Sequence, residues 1–220
     1  MDRSAQIDTF SRFTQVSRET IISLKKYEEL LVKANNRLNL IGKTTINNIW
    51  NRHFLDSAQV IDFVDKNDKS LIDLGSGAGF PGLVLAIILR DRNIPLKTKL
   101  IEKSPKKIKF LNEVINELDL NTEVFSQNIL ESSNKISEDV ITARAFKPLK
   151  IILELIHKKA KKCKKIFIFL GKTGQNELLQ ASKSWDIEYK QRISVTSSDS
   201  LVIEINGLKK IEKHSNYFSD

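Results

Sequence analysis

Hydrophobic positions in the first part of the chain follow a helical pattern. From residue 5 to about residue 64, apolar side chains recur at the three- and four-residue spacing of amphipathic helices. The positions that show this spacing best are Ile21, Leu24, Tyr27, Leu31, Phe54, Ala58 and Ile61. Gly42 is the one glycine in this stretch. We therefore predict that residues 1–65 form a helical cap, which is part of the same domain as the rest of the chain.

From residue 71 onward the pattern changes to short apolar runs that alternate with amphipathic segments. Such alternation is typical of βαβ units whose parallel strands are buried on both faces of a sheet. Pro105 and Pro148 would occupy first-turn positions of helices, where no amide donor is needed. We predict strands at 71–74, 98–102, 122–125, 140–143 and 166–170, and helices at 82–90, 105–118 and 148–161.

Two further apolar runs, 187–195 and 201–206, are joined by a polar stretch that is too short for a crossover helix. They predict an antiparallel hairpin. Five parallel strands followed by such a hairpin are typical of the seven-stranded, Rossmann-like α/β fold of class I AdoMet-dependent methyltransferases. A dinucleotide-binding dehydrogenase would instead continue with further βα units. We expect residues 66–220 to form this methyltransferase domain.

Composition narrows the class of protein further. Hydrophobic residues make up 40% and charged residues 29% of the chain, as in an ordinary folded domain. The net charge of +9 favours a polyanionic partner, although a lysine-rich genome would give the same excess. No apolar run approaches the roughly 18 residues of a membrane span, and the polar start does not resemble a signal peptide. We expect a cytoplasmic protein without a membrane partner. A lone cysteine and three scattered histidines predict no metal site.

The segment 71–82, Leu-Ile-Asp-Leu-Gly-Ser-Gly-Ala-Gly-Phe-Pro-Gly, joins a predicted strand to a predicted helix. We call residues 75–82 the glycine loop. Gly75 and Gly77 would let the backbone turn sharply and approach a ligand closely. A dinucleotide fingerprint would need glycine at position 80, where Phe80 stands. Asp73 would meet the cationic amino group of AdoMet but would repel a pyrophosphate, so the segment favours AdoMet over mere tight packing of strand and helix.

Glu102 ends the second predicted strand, beside the glycine loop. A carboxylate at this place in the sheet can accept hydrogen bonds from both ribose hydroxyls of a nucleoside. The alternative is a solvated acid that caps the following helix. We predict that Glu102 binds the AdoMet ribose.

Several segments together resemble one family, the small-subunit rRNA methyltransferase G family, also called the glucose-inhibited division protein B family. The segments are 36–40 (Asn-Arg-Leu-Asn-Leu), 52–57 (Arg-His-Phe-Leu-Asp-Ser), 73–82, 101–102 (Ile-Glu) with 106–107 and 110–111, 142–145 (Thr-Ala-Arg-Ala) and 170–172 (Leu-Gly-Lys). The resemblance implies that a bacterial or organellar enzyme uses AdoMet to methylate guanine N7 in the decoding-region loop of 16S rRNA. The small ribosomal subunit would be its partner, and we expect a monomer.

The resemblance also implies which residues contact AdoMet. They would be Gly75 and Phe80 in the glycine loop, Asn128 and Ile129 after the third strand, and Arg144 after the fourth. Relatives commonly carry an acid where this chain has Ile129. Adenine recognition would then rest on backbone groups with the Asn128 amide.

The sequence lacks the groups that other kinds of methyl transfer require, and this agrees with methylation of guanine N7. Guanine N7 has a free lone pair, so its attack on a methyl group needs no general base. Enzymes that methylate exocyclic amines tend to carry an Asn/Asp-Pro-Pro-aromatic motif after the fourth strand, where this chain has 142–145. A cytosine-C5 enzyme needs a cysteine nucleophile. Cys163 stands within the lysine cluster (Lys158, Lys159, Lys161, Lys162, Lys164 and Lys165), which we expect to be a solvated helix end at the opposite edge of the sheet, with contact to RNA phosphate as the alternative. We therefore predict no catalytic base or nucleophile.

Cationic residues near the ligand-binding edge are the candidates for RNA contact. Arg144 would point into the cleft and hold the AdoMet carboxylate, a substrate phosphate or the guanine edge, unless it forms a surface ion pair. Arg52, His53, Lys147 and Lys172 are the other candidates, and His53 could equally be a packing residue. Two rival functions stay open: methylation of a protein or small molecule by the same fold, and a non-enzymatic RNA-binding module with a vestigial cofactor site.

Overall fold

The computed structural model describes residues 2–212. It begins with two helices, α1 (Arg3–Thr14) and α2 (Arg18–Leu38). The Asp2 side chain accepts a hydrogen bond from the Ala5 amide, and Ser17 accepts one from the Thr20 amide, so each helix has a polar N-cap. Single-turn elements follow: 3-10 turns at Lys43–Asn48 and Ile61–Phe63, a π-helical turn at Trp50–Leu55, and α3 (Asp56–Ala58). The predicted helical character of this segment is confirmed.

A seven-stranded sheet forms the centre of the protein. Its strands are β1 (Ser70–Leu74), β2 (Lys97–Glu102), β3 (Thr122–Ser126), β4 (Val140–Arg144), β5 (Lys165–Leu170), β6 (Trp185–Ser194) and β7 (Ser197–Lys210). Their order is β3-β2-β1-β4-β5-β7-β6, with β1 to β5 parallel and β7 antiparallel to both β5 and β6. All five predicted parallel strands and the hairpin are confirmed, and the carboxyl ends of β1, β2, β3 and β4 meet at one edge.

Four helices connect the strands: α4 (Gly82–Asp91), α5 (Pro105–Leu118), α6 (Leu149–Lys159) and α7 (Gly174–Ala181). The predicted bounds of α5 are confirmed. Pro148 is the N-cap of α6 and not part of its first turn, and α6 ends two residues earlier than predicted, where Ile136 pairs with Ala160. The sequence analysis missed α7. This helix buries only Gly174, Leu178 and Ala181, which is too few positions to show a helical period.

The two faces of the sheet carry two hydrophobic clusters. In one cluster, residues of α2 such as Leu24 and Tyr27 pack with Leu83 of α4, Leu100 of β2 and Phe110 of α5. The other joins α6 and α7 to the opposite face. The amino-terminal helices thus complete one layer of the sheet. No helix within residues 2–212 is both long and apolar enough to cross a membrane.

Candidate active site

A cleft of about 460 Å³ opens at the edge where the strands β1 to β4 end. We call it the donor cleft. Ligands of open α/β sheets bind outside the carboxyl ends of the strands, and the cleft is in this place. The sequence-predicted residues that line it are Gly75, Gly77, Phe80, Glu102, Asn128, Ile129, Arg144, His53 and Lys147. Asp73, Arg52 and Lys172 are not among its lining residues.

The glycine loop turns sharply between β1 and α4. Gly75 and Gly77 have φ values of +71° and +59°, which side chains other than glycine rarely adopt. A Cβ atom on Gly75 would lie 2.2 Å from the Phe146 ring, whereas one on Gly77 would meet nothing closer than the Gly75 carbonyl oxygen at 3.9 Å. The backbone at Gly77 therefore faces open space, and Phe146 holds Gly75 from the β4 side. Phe146 was missed by the sequence analysis.

Asp73 lies beneath the glycine loop and not in the cleft, which corrects the expectation that it meets the amino group of AdoMet directly. Its side chain is 0% exposed. Oδ1 accepts a hydrogen bond from Thr142 Oγ1 at 2.9 Å, and Oδ2 accepts one from the Gly82 amide at 3.2 Å. Burial raises the pKa of Asp73 to about 6, against the opposing effect of these hydrogen bonds. Asp73 is thus a positioning residue that fixes the loop against β4 and the start of α4.

Glu102 ties the end of β2 to the glycine loop. Its Oε2 accepts a hydrogen bond from the Gly77 amide at 3.0 Å. Its Oε1 accepts hydrogen bonds from the amides of Lys103 and Ser104, which precede α5, at 2.8 and 2.9 Å. An ionised carboxylate has about four acceptor sites, so this arrangement leaves about one for a ligand. Glu102 therefore lines the cleft and also satisfies amides before the next helix, but it is buried and not the solvated acid of the alternative. Its binding of the ribose stays a prediction.

The segment after β3 forms the far wall of the cleft. Ile129 is 2% exposed. The Asn128 side chain accepts a hydrogen bond from the Leu130 amide at 3.3 Å and donates one to Glu131 at 2.6 Å. Behind this segment, the Lys159 ammonium donates to the Ile129 carbonyl at 2.5 Å. Backbone groups are therefore held in place where the sequence analysis expected backbone recognition of adenine.

Lys159 departs from the expectation of a solvated lysine cluster. The residue is 9% exposed and also donates to the Ser132 carbonyl. Burial, followed by the charge of Lys135, lowers its pKa. Sequence reasoning assigned it to the cluster because lysines stand close on both sides of it. The missed signal is its helical spacing, since position 159 continues the buried face of Ile152 and Ile156.

Arg144 is the centre of a polar network that joins β4 to the amino-terminal segment. Its Nε lies 3.0 Å from Asp56 Oδ2, and its Nη2 donates to the Arg52 carbonyl at 2.6 Å. Weaker contacts at 3.4 Å reach Ser57 Oγ and His53 Nδ1. We call Arg144 with these four partners the Arg144 junction. Burial is the main cause that lowers the pKa of Arg144.

The junction changes the interpretation of Arg144. A guanidinium has five N–H donors, and four of the five are directed at protein groups. The side chain is 18% exposed, so the alternative of a surface ion pair is wrong. Little of the fork is free, so the expected hold on a carboxylate, phosphate or base edge would rest on the N–H group that these partners leave open, and this role stays a prediction. Arg144 lines the donor cleft and at the same time anchors the amino-terminal segment to it.

Asp56 is a further residue of the site that sequence reasoning passed over. Besides Arg144, its carboxylate accepts hydrogen bonds from Gln59 Nε2 at 2.9 Å, Ser194 Oγ at 2.8 Å and Thr196 Oγ1 at 3.0 Å. The signal was present in the segment 52–57, which carried part of the family resemblance but in which Asp56 had no assigned role. Because its partners come from β4 and from the β6–β7 hairpin, only the folded structure shows what it does.

His53 packs against the glycine loop. Its ring stacks on Phe80 with 4.9 Å between centroids and 14° between planes. Nε2 lies 2.9 Å from Thr45 Oγ1, and Nδ1 faces the Arg144 guanidinium. Burial, and then the charges of Arg144 and Arg52, lower the pKa of His53 to about 3. The imidazole is therefore neutral at physiological pH, and its geometry favours the packing role over phosphate contact.

The remaining cationic candidates differ in position. Arg52 and Lys147 are exposed, and both line a second, smaller cavity beside the donor cleft. Lys172 is 80% exposed, lies 3.7 Å from Asp199 and lines neither cavity. Within residues 2–212, no group of three or more histidine, cysteine, aspartate or glutamate side chains could hold a metal ion.

The rest of the lysine cluster lies at the opposite edge of the sheet, as expected. The expectation that it is a solvated helix end is wrong beyond Lys159, because α6 ends there and Lys165 begins β5. Lys164 pairs with Asp139 at 2.9 Å, and Lys165 pairs with Asp68 at 2.7 Å. Cys163 is half-buried, with Sγ 3.1 Å from the Lys165 carbonyl oxygen, and burial raises the pKa of its thiol to about 11. Such a thiol is a poor nucleophile at neutral pH.

Comparison with known proteins bears first on the fold and then on the family. A putative O-methyltransferase from Klebsiella pneumoniae matches with a TM-score of 0.55 at 12% identity, over 81% of this chain and 89% of that one. A TehB-like SAM-dependent methyltransferase from Corynebacterium glutamicum matches with a TM-score of 0.53 at 13% identity, over 82% and 98%. Both likenesses concern the fold alone, and they confirm the predicted seven-stranded α/β fold that class I methyltransferases have.

A family model described as rRNA small subunit methyltransferase G matches residues 20–203. A relative from Pelagibacter ubique, named "Ribosomal RNA small subunit methyltransferase G", is 41% identical over 197 residues, which are 89% of this chain and 92% of the relative. The chain belongs to the rRNA small subunit methyltransferase G family. This membership confirms the predicted enzyme class and the predicted cofactor, AdoMet.

Proposed function

We propose that the protein transfers a methyl group from AdoMet to N7 of a guanine in the decoding-region loop of 16S rRNA. Family membership and the names of relatives support an rRNA substrate. The choice of N7 rests on the chemistry of the donor cleft. The small ribosomal subunit is the proposed partner of a monomeric protein that acts in the cytoplasm, where that subunit is found.

Residues of the donor cleft fit AdoMet in shape and in polarity. The open space at Gly77, walled by Gly75 and Phe80, suits the methionine part. The unused acceptor site of Glu102 suits a ribose hydroxyl, and the backbone at Asn128 and Ile129 suits the adenine. AdoMet supplies a methyl group on a sulfonium sulfur. The protein's part is to hold the donor and the base in line, since correct placement alone accounts for a large share of such a rate.

One observation carries the choice of guanine N7: the described residues that line the donor cleft include no effective general base. Three of its six ionisable groups are lysines, and Arg144 is a fourth cation. His53, with a pKa of about 3, is too weak a base to remove a proton at neutral pH. Glu102 is occupied by three backbone amides. An exocyclic amine must lose a proton on methylation, whereas N7 attacks with a lone pair that is already free.

Exposed cations at the rim would hold the RNA backbone. We propose Arg52 and Lys147 for this role, because both are exposed and both line the second cavity. Lys172 stays a weaker proposal, since it lies outside both cavities. His53 would contribute by supporting Phe80. We also propose that residues 1–65 and 66–220 act as one domain, because they share a hydrophobic cluster.

The function is tested by methyl transfer from radiolabelled AdoMet to small ribosomal subunits, naked 16S rRNA and total protein in parallel. We expect label in the rRNA and, after digestion, 7-methylguanosine by mass spectrometry. Because N7-methylated guanosine is labile to borohydride and aniline, the labelled RNA should cleave at one guanine. Label in protein, or labelled RNA that resists cleavage, would refute the proposal and would favour the rival substrate classes.

A further inference from the structure

A second cavity of about 260 Å³ lies beside the donor cleft along the same edge of the sheet. We call it the acceptor cavity. It lies where β5 ends and where β7 pairs with that end, and it shares Arg144, Ala145 and Lys147 with the donor cleft. Residues 144–147 therefore form the wall between the two spaces, with Phe146 on the donor side only. Direct transfer needs the methyl carbon and the attacking nitrogen within about 3–3.5 Å of each other, so the two groups would have to meet at the rim of this wall.

Two carboxylates line the acceptor cavity, and they differ in how many acceptor sites are free. Asp56 has four protein partners, three hydrogen bonds on Oδ1 and the Arg144 guanidinium on Oδ2, so only one site on Oδ2, next to Arg144, is left. Glu177 of α7 accepts only two hydrogen bonds, one on each oxygen. These come from the Leu149 amide at 2.7 Å and from Thr173 Oγ1 at 2.8 Å. One site on each oxygen of Glu177 is therefore free.

A carboxylate with two free, adjacent acceptor sites matches a ligand edge with two adjacent donors. The Watson–Crick edge of guanine has such a pair in N1–H and N2–H, and enzymes that act on an extruded base commonly read that edge. Apolar side chains, among them Ile152, Phe169 and Leu201, line the same cavity and would contact the faces of the purine. Exposed Arg52 and Lys147 flank the entrance and suit the adjoining phosphates.

We propose that the acceptor cavity binds the target guanine and that Glu177 accepts hydrogen bonds from its N1–H and N2–H. This inference rests on the proposed function. Glu177 lines only the acceptor cavity, while the 144–147 wall separates that cavity from the donor cleft. N7 lies on the side of the purine opposite the 2-amino group. A guanine whose Watson–Crick edge meets Glu177 therefore turns N7 toward the wall and the methyl donor.

The test alters the proposed contact on both sides, at the 2-amino group of the guanine and at the carboxylate of Glu177. The methylated guanosine is first mapped, and small subunits are reconstituted with inosine, which lacks the 2-amino group, at that position. The protein variant is Glu177→Gln, which keeps an acceptor for the Leu149 amide but presents an NH₂ group to the base. Glu154→Gln is the matched control, because Glu154 lies on the exposed side of α6 and pairs with Lys158 and Lys210. Dissociation constants of the subunits are measured by filter binding, together with methyl transfer.

We expect the wild type and Glu154→Gln to bind the inosine subunit roughly tenfold more weakly than the guanosine subunit, as for a lost hydrogen bond to a charged group. Glu177→Gln should bind the guanosine subunit roughly tenfold more weakly than the wild type. In this variant, the change to inosine should weaken binding by less than about threefold, because the partner of the 2-amino group is already altered.

Two results would overturn the assignment of Glu177. One is an unchanged inosine penalty in Glu177→Gln, and the other is the absence of any penalty in the wild type. The wild-type measurement alters only the RNA, so it decides even if the variant fails to fold. The proposed function fails separately, if the wild type yields a methylated nucleoside other than 7-methylguanosine.

Discussion

The glycine loop and the Arg144 junction both line the donor cleft, yet they are assembled from very different distances along the chain. Most hydrogen bonds of the loop are short in sequence, since they reach 9 residues, from Gly82 to Asp73, and 25 residues, from Gly77 to Glu102. One is longer, from the Tyr27 hydroxyl of α2 to the Ala78 carbonyl, and reaches 51 residues. Those of Arg144 reach 87 to 92 residues back to the amino-terminal segment. The turn of the loop is thus encoded mostly locally, whereas the junction exists only when two distant parts of the chain are packed together.

The largest effect is expected where the local region is broken. Gly75→Arg places a side chain at a φ of +71° with its Cβ 2.2 Å from Phe146, so the arginine must intrude on the cleft or displace that ring. We expect AdoMet affinity to fall by more than about 100-fold, or about 3 kcal/mol, by titration calorimetry. Gly171→Arg is the control, because a Cβ there meets nothing within 4 Å. Undiminished affinity in a folded Gly75→Arg variant would remove the loop from the cofactor site.

The same contrast explains how much of the site could be predicted. The order of glycines and the acid at the end of β2 are local features, and the structure places Gly77 and Glu102 together as expected. Asp73 was misplaced, because sequence does not show that Thr142 and Gly82 occupy its two oxygens. Asp56 and Lys159 were missed for the same reason, since their roles depend on partners from other elements.

The elements of the fold also differ in how well the sequence predicted them. Strands β1 to β5 were all found within about one residue, and β1, β4 and β5 are mostly buried runs that leave a clear pattern. Helix α7 was missed, since it buries few side chains. The proposed role of its Glu177 depends on contacts with the acceptor cavity and with the start of α6, which the sequence does not show.

The second largest effect is expected when the Arg144 junction, whose residues are distant in sequence, is broken. Arg144→Ala leaves the Asp56 carboxylate without its cation, so we expect a loss of about 3 kcal/mol in the free energy of unfolding. Methyl transfer to small subunits should fall on the order of 100-fold, because the wall between the cavities is no longer held in place. Chemical denaturation and single-turnover kinetics measure the two effects.

Lys162→Ala is the control for charge, since Lys162 is exposed at the opposite edge of the sheet. If Lys162 touches RNA phosphate, its loss should reduce the salt-dependence slope of binding by about one unit and be repaired at low salt. Arg144→Ala should not be repaired in this way. Full rescue of the arginine variant at low salt would mean that Arg144 acts only as a peripheral charge.

A smaller effect is expected in the pH dependence of the free energy of unfolding, through His53 of the Arg144 junction. The pKa of His53 is about 3 in the folded protein, against 6.5 for an unperturbed histidine, so the unfolded chain binds the proton more readily. The stabilisation from neutral His53 is therefore complete above pH 6.5 and is lost as the pH falls from 6.5 toward 3. The slope for one such group is at most about 1.4 kcal/mol per pH unit.

The measurement is urea denaturation of the wild type and His53→Gln between pH 7.5 and 4.5. We expect wild-type stability to fall more steeply below pH 6.5. Asp73, whose raised pKa of about 6 gives the opposite slope, is present in both proteins and cancels in the difference. Parallel curves would mean that the junction does not hold His53 in its neutral form.

The smallest effect is expected outside both regions, at Cys163. This residue is the single thiol of the chain and lies within the lysine cluster at the far edge of the sheet. A nucleophilic mechanism would require a thiolate, but burial raises the pKa of this thiol to about 11, so little thiolate is present at neutral pH. Attack by the guanine lone pair needs no enzyme nucleophile, and neither cavity includes Cys163.

Cys163→Ser should therefore keep kcat within about twofold of the wild type, because the serine hydroxyl can still donate to the carbonyl groups that the thiol contacts. Methyl transfer is measured beside a melting curve, which separates loss of chemistry from loss of fold. A variant that melts normally but has lost all activity would place a covalent step in the reaction, and the argument that the donor cleft works by placement alone would then fail.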